Sequence, residues 1–221
     1  MGGSPCQGFS FAGKQLNFKD EKSKLFFEYV RILEEVKPKY FLLENVKMKQ
    51  QYQDIISGYL GVQPIEINSA LVSAQTRKRL YWTNIPNIIQ PQDKGILFKD
   101  VMLKGNQIPP NLIHSERAIN YMDRPLKNGG SHWDYGYIQD IRNDKAKCLV
   151  ANLYKGVPYN VLKDSDCIRK MHPNECEILQ TLPIDYTAGV SNTQRYKCIG
   201  NAWTPDVIVH IIKGLKKNYG K

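Results

Sequence analysis

No apolar run in these 221 residues is long enough to span a bilayer, which excludes a membrane-crossing helix. No charged-then-apolar leader opens the sequence either. There is no CxxC pair, and five cysteines, an odd number, do not make a disulfide framework. Cys148, Cys167, Cys176 and Cys198 lack paired metal-ligand spacing, and only His172 lies close to any of them, so no metal site is expected. Free thiols then fit a reducing compartment, and the expected location is the cytoplasm. Acidic residues are in short supply. Lys and Arg number 31 against 21 Asp and Glu, a net charge of +10. That balance suits a polyanionic partner, although a generally basic solvated surface explains the charge equally well.

What is present is an ordinary globular composition, 42% hydrophobic and 24% charged, long enough for one or two domains with a real core. Leu25, Phe26, Tyr29, Leu33 and Val36 fall on one helical face, and Lys37-Pro38 stops that helix. Tyr40 to Leu43 reads as a buried parallel strand that delivers Glu44 and Asn45 at its tip. A helix is predicted over Gln51 to Leu60, with strands near Ile65 to Leu71 and Leu80 to Ile85. Strands alternating with helices predict an α/β domain with a mostly parallel sheet. From about residue 86 to 171 periodicity fades into a smaller strand-and-loop module rich in basic and aromatic residues. Helical signals return at Asn174 to Leu182 and after Thr204-Pro205, where Val207, Ile208, Ile211, Ile212 and Leu215 form an apolar stripe. There is no internal repeat.

Four places could carry chemistry. Cys6 sits in a loop of glycines and proline, where a thiolate is an exposed nucleophile, although most lone cysteines are inert packing. Glu44 stands where α/β enzymes place their ligands, or is simply a salt-bridged acid. Gln75, Arg77 and Arg79 share one side if their segment is extended, giving an amide and two guanidiniums for a carbonyl or phosphate. A solvated charge run is the plainer reading. Gly200-Asn201 leads toward the last helix, a turn that brings backbone amides to a ligand or merely caps the helix.

The order and wording of these segments are more specific than any one of them. GGSPCQGFSFAG at 2–13, FLLENV at 41–46, QTRKRLYW at 75–82, HPNECEILQTLP at 172–183 and QRYKCIGNAWTPDV at 194–207 resemble five successive motifs of the DNA cytosine-5-methyltransferase family. The resemblance implies a Rossmann-like, S-adenosyl-L-methionine-dependent methyltransferase domain in three stretches. Residues 1–85 hold the nucleophile loop and the Glu-Asn-Val and Gln-x-Arg-x-Arg motifs, 86–171 form the variable target-recognition region, and 172–221 return to the catalytic domain. It further implies that Cys6 attacks C6 of a cytosine flipped out of double-stranded DNA. Glu44 would bond N3 and the exocyclic amine, and Arg79, with Arg77 close by, would hold the O2 side. Gln7 would approach the space the base leaves, Ser10 and Lys14 would contact phosphates, and Gln75 would face DNA. Pro5 and Leu25 would touch the cofactor, with Asn201 and Ala202 lining its methionine end. Cys176 would be structural.

The chain departs from the family pattern in three respects. Ala12 stands where many members have serine. His172 replaces a Thr or Ser before the proline of the Pro-x-Glu-Cys block, which removes a good helix cap at an expected cost of about 1 kcal/mol. The family's Phe-x-Gly-x-Gly cofactor cradle has no counterpart in this sequence, nor do four strands of its sheet, including the one before Cys6. The expectation is a truncated or split enzyme that needs a separate polypeptide carrying those motifs. The alternative is a catalytically silent remnant that still binds DNA.

Overall fold

The computed structural model describes residues 1–5, 24–165 and 167–216. Cys6, Gln7, Ser10 and Lys14 lie outside the described residues. The chain forms two units, one of Met1–Asn68, Lys78–Pro91 and Val209–Lys221, the other of Ser69–Arg77 and Gln92–Ile208. These divisions differ from the functional stretches 1–85, 86–171 and 172–221, because most of the late motifs pack with the central module.

The sheet of the first unit starts at Gly2–Gly3 (β1), paired in parallel with Leu42–Val46 (β2) in the register Gly2↔Leu43 and Gly3↔Glu44. Helix α1 (Leu25–Val36) lies between them in the chain and buries Phe26 and Val30. Its stop is local: Lys37 takes a left-handed φ of 46° and donates its N–H to the Leu33 carbonyl at 2.9 Å. Helix α2 (Gln50–Leu60) ends the same way on Gly61. Strands β3 (Ile65–Asn68) and β4 (Lys78–Thr83) complete the sheet in the order β1-β2-β4-β3.

Three expectations are corrected here. Strand β2 begins at Leu42 and runs three residues beyond Leu43, so Glu44 and Asn45 lie within it. A strand before Cys6 is present as β1, and β2 has a neighbour on each side. The sheet is mixed, because β4 pairs antiparallel with both β2 and β3. The reason is the short link 69–77: a parallel return needs a crossover of a dozen or more residues, whereas an antiparallel neighbour does not. Leu43, Leu80 and Trp82 pack with Phe26, Val30 and Ile56 in one apolar core. Trp82 Nε1 donates to Ser57 Oγ at 3.0 Å. Since side chains alternate along strands, Glu44, Arg79 and Tyr81 occupy the face away from the two helices.

The second unit contains α3 (Glu116–Met122), a three-stranded sheet of β5 (Ile138–Asp140), β6 (Val161–Lys163) and β7 (Ile168–Arg169), and helices α4 (Pro173–Leu179) and α5 (Asn192–Asn201). Its core joins Phe98, Met102, Leu149, Leu153 and Leu162 to Met171, Cys176, Leu179, Tyr196 and Ile199. Helix α6 (Pro205–Lys213) follows, with Val207 and Ile211 fully buried. Among the described residues no helix is long and apolar enough to cross a membrane, and no cluster of side chains could hold a metal ion.

Candidate active site

In the first unit the site is built from β1, β2 and β4. Arg79 Nε lies 3.0 Å from Glu44 Oε1, with the two side chains only 15% and 13% exposed. Arg79 registers with Val46 and Glu44 with Tyr81, so the pair is a diagonal contact across adjacent antiparallel strands. The Arg79 guanidinium also donates to its neighbour's Lys78 carbonyl at 2.8 Å. A carboxylate held by a guanidinium in a mostly dehydrated spot is a charged pair that presents both an acceptor and donors to a planar ligand.

Asn45, buried to 1% exposure, does what neither periodicity nor spacing foretold. Its Nδ2 donates to Ser4 Oγ at 3.0 Å and to the Ser4 carbonyl at 3.4 Å, while its Oδ1 accepts the Val46 N–H. This clamp fixes the chain immediately before Pro5-Cys6 beside β2. A Cβ on Gly2 would lie 2.6 Å from the Tyr29 ring of α1, so any larger residue here requires that ring to move. Alternation therefore puts Gly2 and Ser4 on the helix side and Gly3 and Pro5 on the side of Glu44. Among the described residues the buried Tyr29 hydroxyl has no hydrogen-bond partner, and burial pushes its pKa up to about 12.

The second unit holds its own cluster at the end of α5. Arg77 is 4% exposed and donates to the carbonyls of Leu149 (3.0 Å), Gly200 (3.3 Å) and Ala202 (2.9 Å). A cation at a helix C-terminus meets carbonyls that have no partner within the helix. Gln180 adds bonds to the Ile199 and Ala202 carbonyls. Gln75 is fully buried, accepting from the Leu149 N–H and donating to the Leu179 carbonyl. Arg77 and Gln75 are thus both buried and bonded to backbone within the second unit. Arg77 bonds the segment that carries Asn201 and Ala202 directly, and Gln75 reaches it through Gln180. Asn201 is exposed and Ala202 half-buried. Gly200 does not lead a turn into the last helix as expected. It lies within α5, where an added Cβ would sit 2.3 Å from the Val150 carbonyl carbon and 2.4 Å from Ala151 N.

Helix α4 corrects a further expectation. The His172 ring replaces the missing hydroxyl: its Nδ1 accepts the Asn174 N–H at 3.2 Å, and Glu175 returns a bond from the His172 N–H. Glu175, 1% exposed, also takes both Nη atoms of the fully buried Arg169 at 2.8 Å and the Leu103 N–H. Cys176 is fully buried, and burial pushes its thiol pKa well above the ordinary value, which fits the structural role expected of it. Pro5 is half-buried and Leu25, at the first position of α1, half exposed.

Solved structures share this architecture. The Entamoeba histolytica methyltransferase EhMeth matches with a TM-score of 0.75 at 16% identity, over 99% of this chain and 77% of that one. The S. pombe Dnmt2 methyltransferase matches with a TM-score of 0.71 at 17% identity, over 100% and 78%. The fold is therefore that of an α/β, Rossmann-like methyltransferase domain. The model of the C-5 cytosine-specific DNA methylase family matches residues 1–54 and 61–217, and the chain belongs to that family. Its relatives include the Type II methyltransferase M1.ScrFI of Lactococcus lactis subsp. cremoris, 31% identical over 91% of this chain and 58% of its own length. Type II methyltransferase M.HhaI of Haemophilus parahaemolyticus is 24% identical over 99% and 74%. Relative to these two proteins the chain spans 58% and 74% of their lengths.

Proposed function

We propose that the chain carries the catalytic residues of a DNA (cytosine-5-)-methyltransferase, acting on a cytosine flipped out of double-stranded DNA with S-adenosyl-L-methionine as methyl donor. The observation that carries this reading is the Glu44–Arg79 pair on the sheet face to which alternation assigns Pro5, with Ser4 clamped by Asn45 just before Cys6. The Cys6 thiolate adds to C6 of cytosine, forming a C–S bond and moving electron density to C5. Glu44 meets N3 and the exocyclic amine while Arg79 donates to O2, countering the charge that addition develops. The cofactor supplies an electrophilic methyl group. Loss of the C5 proton to water and cleavage of the C–S bond then free Cys6.

Around this centre Gln7 enters the space left by the base, and Ser10 and Lys14 hold phosphates. Exposed Leu25 and Asn201 are available to the cofactor, together with Pro5 and Ala202. Residues 86–171 select the target. A Gly-rich cradle, which these 221 residues do not contain, completes the cofactor pocket. Supporting this, Leu25, Ile32 and Val36 leave an apolar stripe of α1 48–67% exposed, and among the described residues β1 is an outer strand of its sheet.

The test is covalent trapping on duplex DNA containing 5-fluorocytosine, with cofactor and a cradle-bearing polypeptide supplied. A denaturation-resistant adduct is expected, lost in Cys6→Ala and slowed in Glu44→Gln and Arg79→Ala. DNA binding without any adduct would instead leave a silent DNA-binding remnant.

A further inference from the structure

Within the second unit, aromatic rings from α3, the segment before β5 and the segment before β6 meet in one strip. Tyr121 stacks on His132 at 4.6 Å, and His132 lies 6.3 Å from Tyr135. Tyr135 is 5.7 Å from Tyr137 and 6.0 Å from Tyr159, and these last two are 5.3 Å apart. Cations stand on the strip. Arg124 is 5.9 Å from the Tyr121 ring, Lys155 5.4 Å from Tyr159, and Lys163 4.5 Å from the adjoining Trp133. Beside it a cleft of about 450 Å³ is lined by Asp134, Tyr135, Tyr137, Lys147, Cys148 and Val150.

A ring cluster covering a small core would explain Trp133 and Tyr135, which pack on Met122, Ile138 and Val161. It does not explain the charges. Several other cations of this unit are paired, Lys94 with Asp206, Arg142 with Asp140, Arg169 with Asp164 and Glu175, and Arg195 with Glu177. Among the described residues, Arg124, Lys147, Lys155 and Lys163 form no ion pair. The nearby acids are already engaged, Asp123 by Trp133 Nε1 and Asp134 by the Ser131 N–H. Cations resting on aromatic faces, with Lys163 facing only an Asp140 already bonded to Arg142, next to hydroxyl-bearing rings, suit a polyanion whose bases offer edges and faces.

We propose that this strip is the surface through which the chain meets duplex DNA, with Arg124, Lys155 and Lys163 on phosphates and Tyr135, Tyr137 and Lys147 at base edges. The proposal rests on the reading that the chain acts on DNA, and it assigns the residues that select the target. A tyrosine hydroxyl both donates and accepts, and a lysine donates to guanine N7 and O6, so the cleft holds what major-groove reading requires.

The test uses the full chain and a random duplex library, with affinity followed by fluorescence anisotropy at several salt concentrations and bound sequences read after selection. Replacing Arg124, Lys155 and Lys163 by alanine should weaken binding evenly across sequences and reduce the log–log salt slope by roughly three, about one per phosphate contact. Tyr137→Phe, which removes a single oxygen, should change the ranking of bound sequences and leave the slope intact, and it keeps the test alive if the triple variant unfolds. Arg31→Ala removes one positive charge from exposed α1, where Arg31 pairs with Glu28 and Glu35, and should change neither quantity. An unchanged slope in the folded triple variant, an unchanged ranking in Tyr137→Phe, preference for an RNA hairpin, or no duplex binding at all would overturn the proposal. Expected binding without a 5-fluorocytosine adduct would uphold it and sink the catalytic reading alone.

Discussion

Gly200 and Gly58 both lie in helices, and their surroundings give the same substitution opposite signs. Gly58 is exposed on α2, and a Cβ there meets nothing within 4 Å. Gly58→Ala should raise stability by about 0.5–1 kcal/mol, because alanine loses less backbone freedom on folding. At Gly200 the same methyl would drive into the Val150–Ala151 backbone, which cannot turn aside as a side chain can. Gly200→Ala should cost about 3 kcal/mol, at the upper end of overpacking. Urea denaturation of the two variants checks both signs. Asn45 offers a second test, since its amide is what holds Ser4 beside β2. Asn45→Ala should slow adduct formation roughly tenfold or more, because the nucleophile loop loses its anchor, while leaving DNA affinity unchanged. Equal losses in affinity and adduct rate would count against a positioning role. At this scale Glu44 and Arg79 were legible because their motifs name them. The bonds of Asn45, Gln180 and Arg77 were not, since each reaches a partner between 19 and 125 positions away in the sequence.

Helix α4 shows what an element gains from a residue that breaks the family's habit. A serine cap works at any pH, but His172 caps only with an unprotonated Nδ1 facing the Asn174 N–H. Its pKa is lowered, chiefly by burial and also by Arg195, although Glu175 and other carboxylates oppose the shift. A depressed histidine pKa means that the unfolded chain takes up the proton first. The stability contributed by neutral His172 is therefore complete above the unfolded value near 6.5 and is lost as pH falls through the lower folded value. The stability difference between wild type and His172→Asn, whose side chain caps without titrating in this range, should move against the wild type as pH drops below about 6.5. Denaturation midpoints at pH 7.5 and pH 5 measure it, and a pH-independent difference would reject the cap. Element types were largely legible, because the helical signals of α1, α2, α4 and α6 stand in the sequence and the stop of α1 follows Lys37-Pro38. The ends of β2 and β4 shifted because strand limits are set by pairing partners rather than by local sequence.

The arrangement of the whole was the least legible part. Nothing local says that β4 inserts between β2 and β3, or that residues 69–77 leave one unit for the other, yet these facts decide which functional groups meet. They put Glu44 and Arg79 together and send Arg77, two positions away, to the end of α5. The same arrangement yields a prediction about the isolated molecule. The groups assigned to the cofactor here are Pro5, Leu25, Asn201 and Ala202, a proline ring, an apolar side chain, one amide and one methyl. Such a set offers little to the charged and hydroxylated parts of S-adenosylmethionine, and none of the four is an acid that would hold its ribose. The exposed stripe of Leu25, Ile32 and Val36 points the same way, since an apolar helix face beside an outer strand is stable in water only at the risk of association. The 221 residues alone should give no calorimetric binding of S-adenosylmethionine and no methyl transfer to DNA. Ile32→Glu with Val36→Glu should raise solubility and change stability by no more than about 0.5 kcal/mol, as for exposed positions. Robust turnover by the isolated chain, or unfolding by the paired glutamates, would mean that these residues already close the cofactor pocket and that the stripe supports this fold by itself.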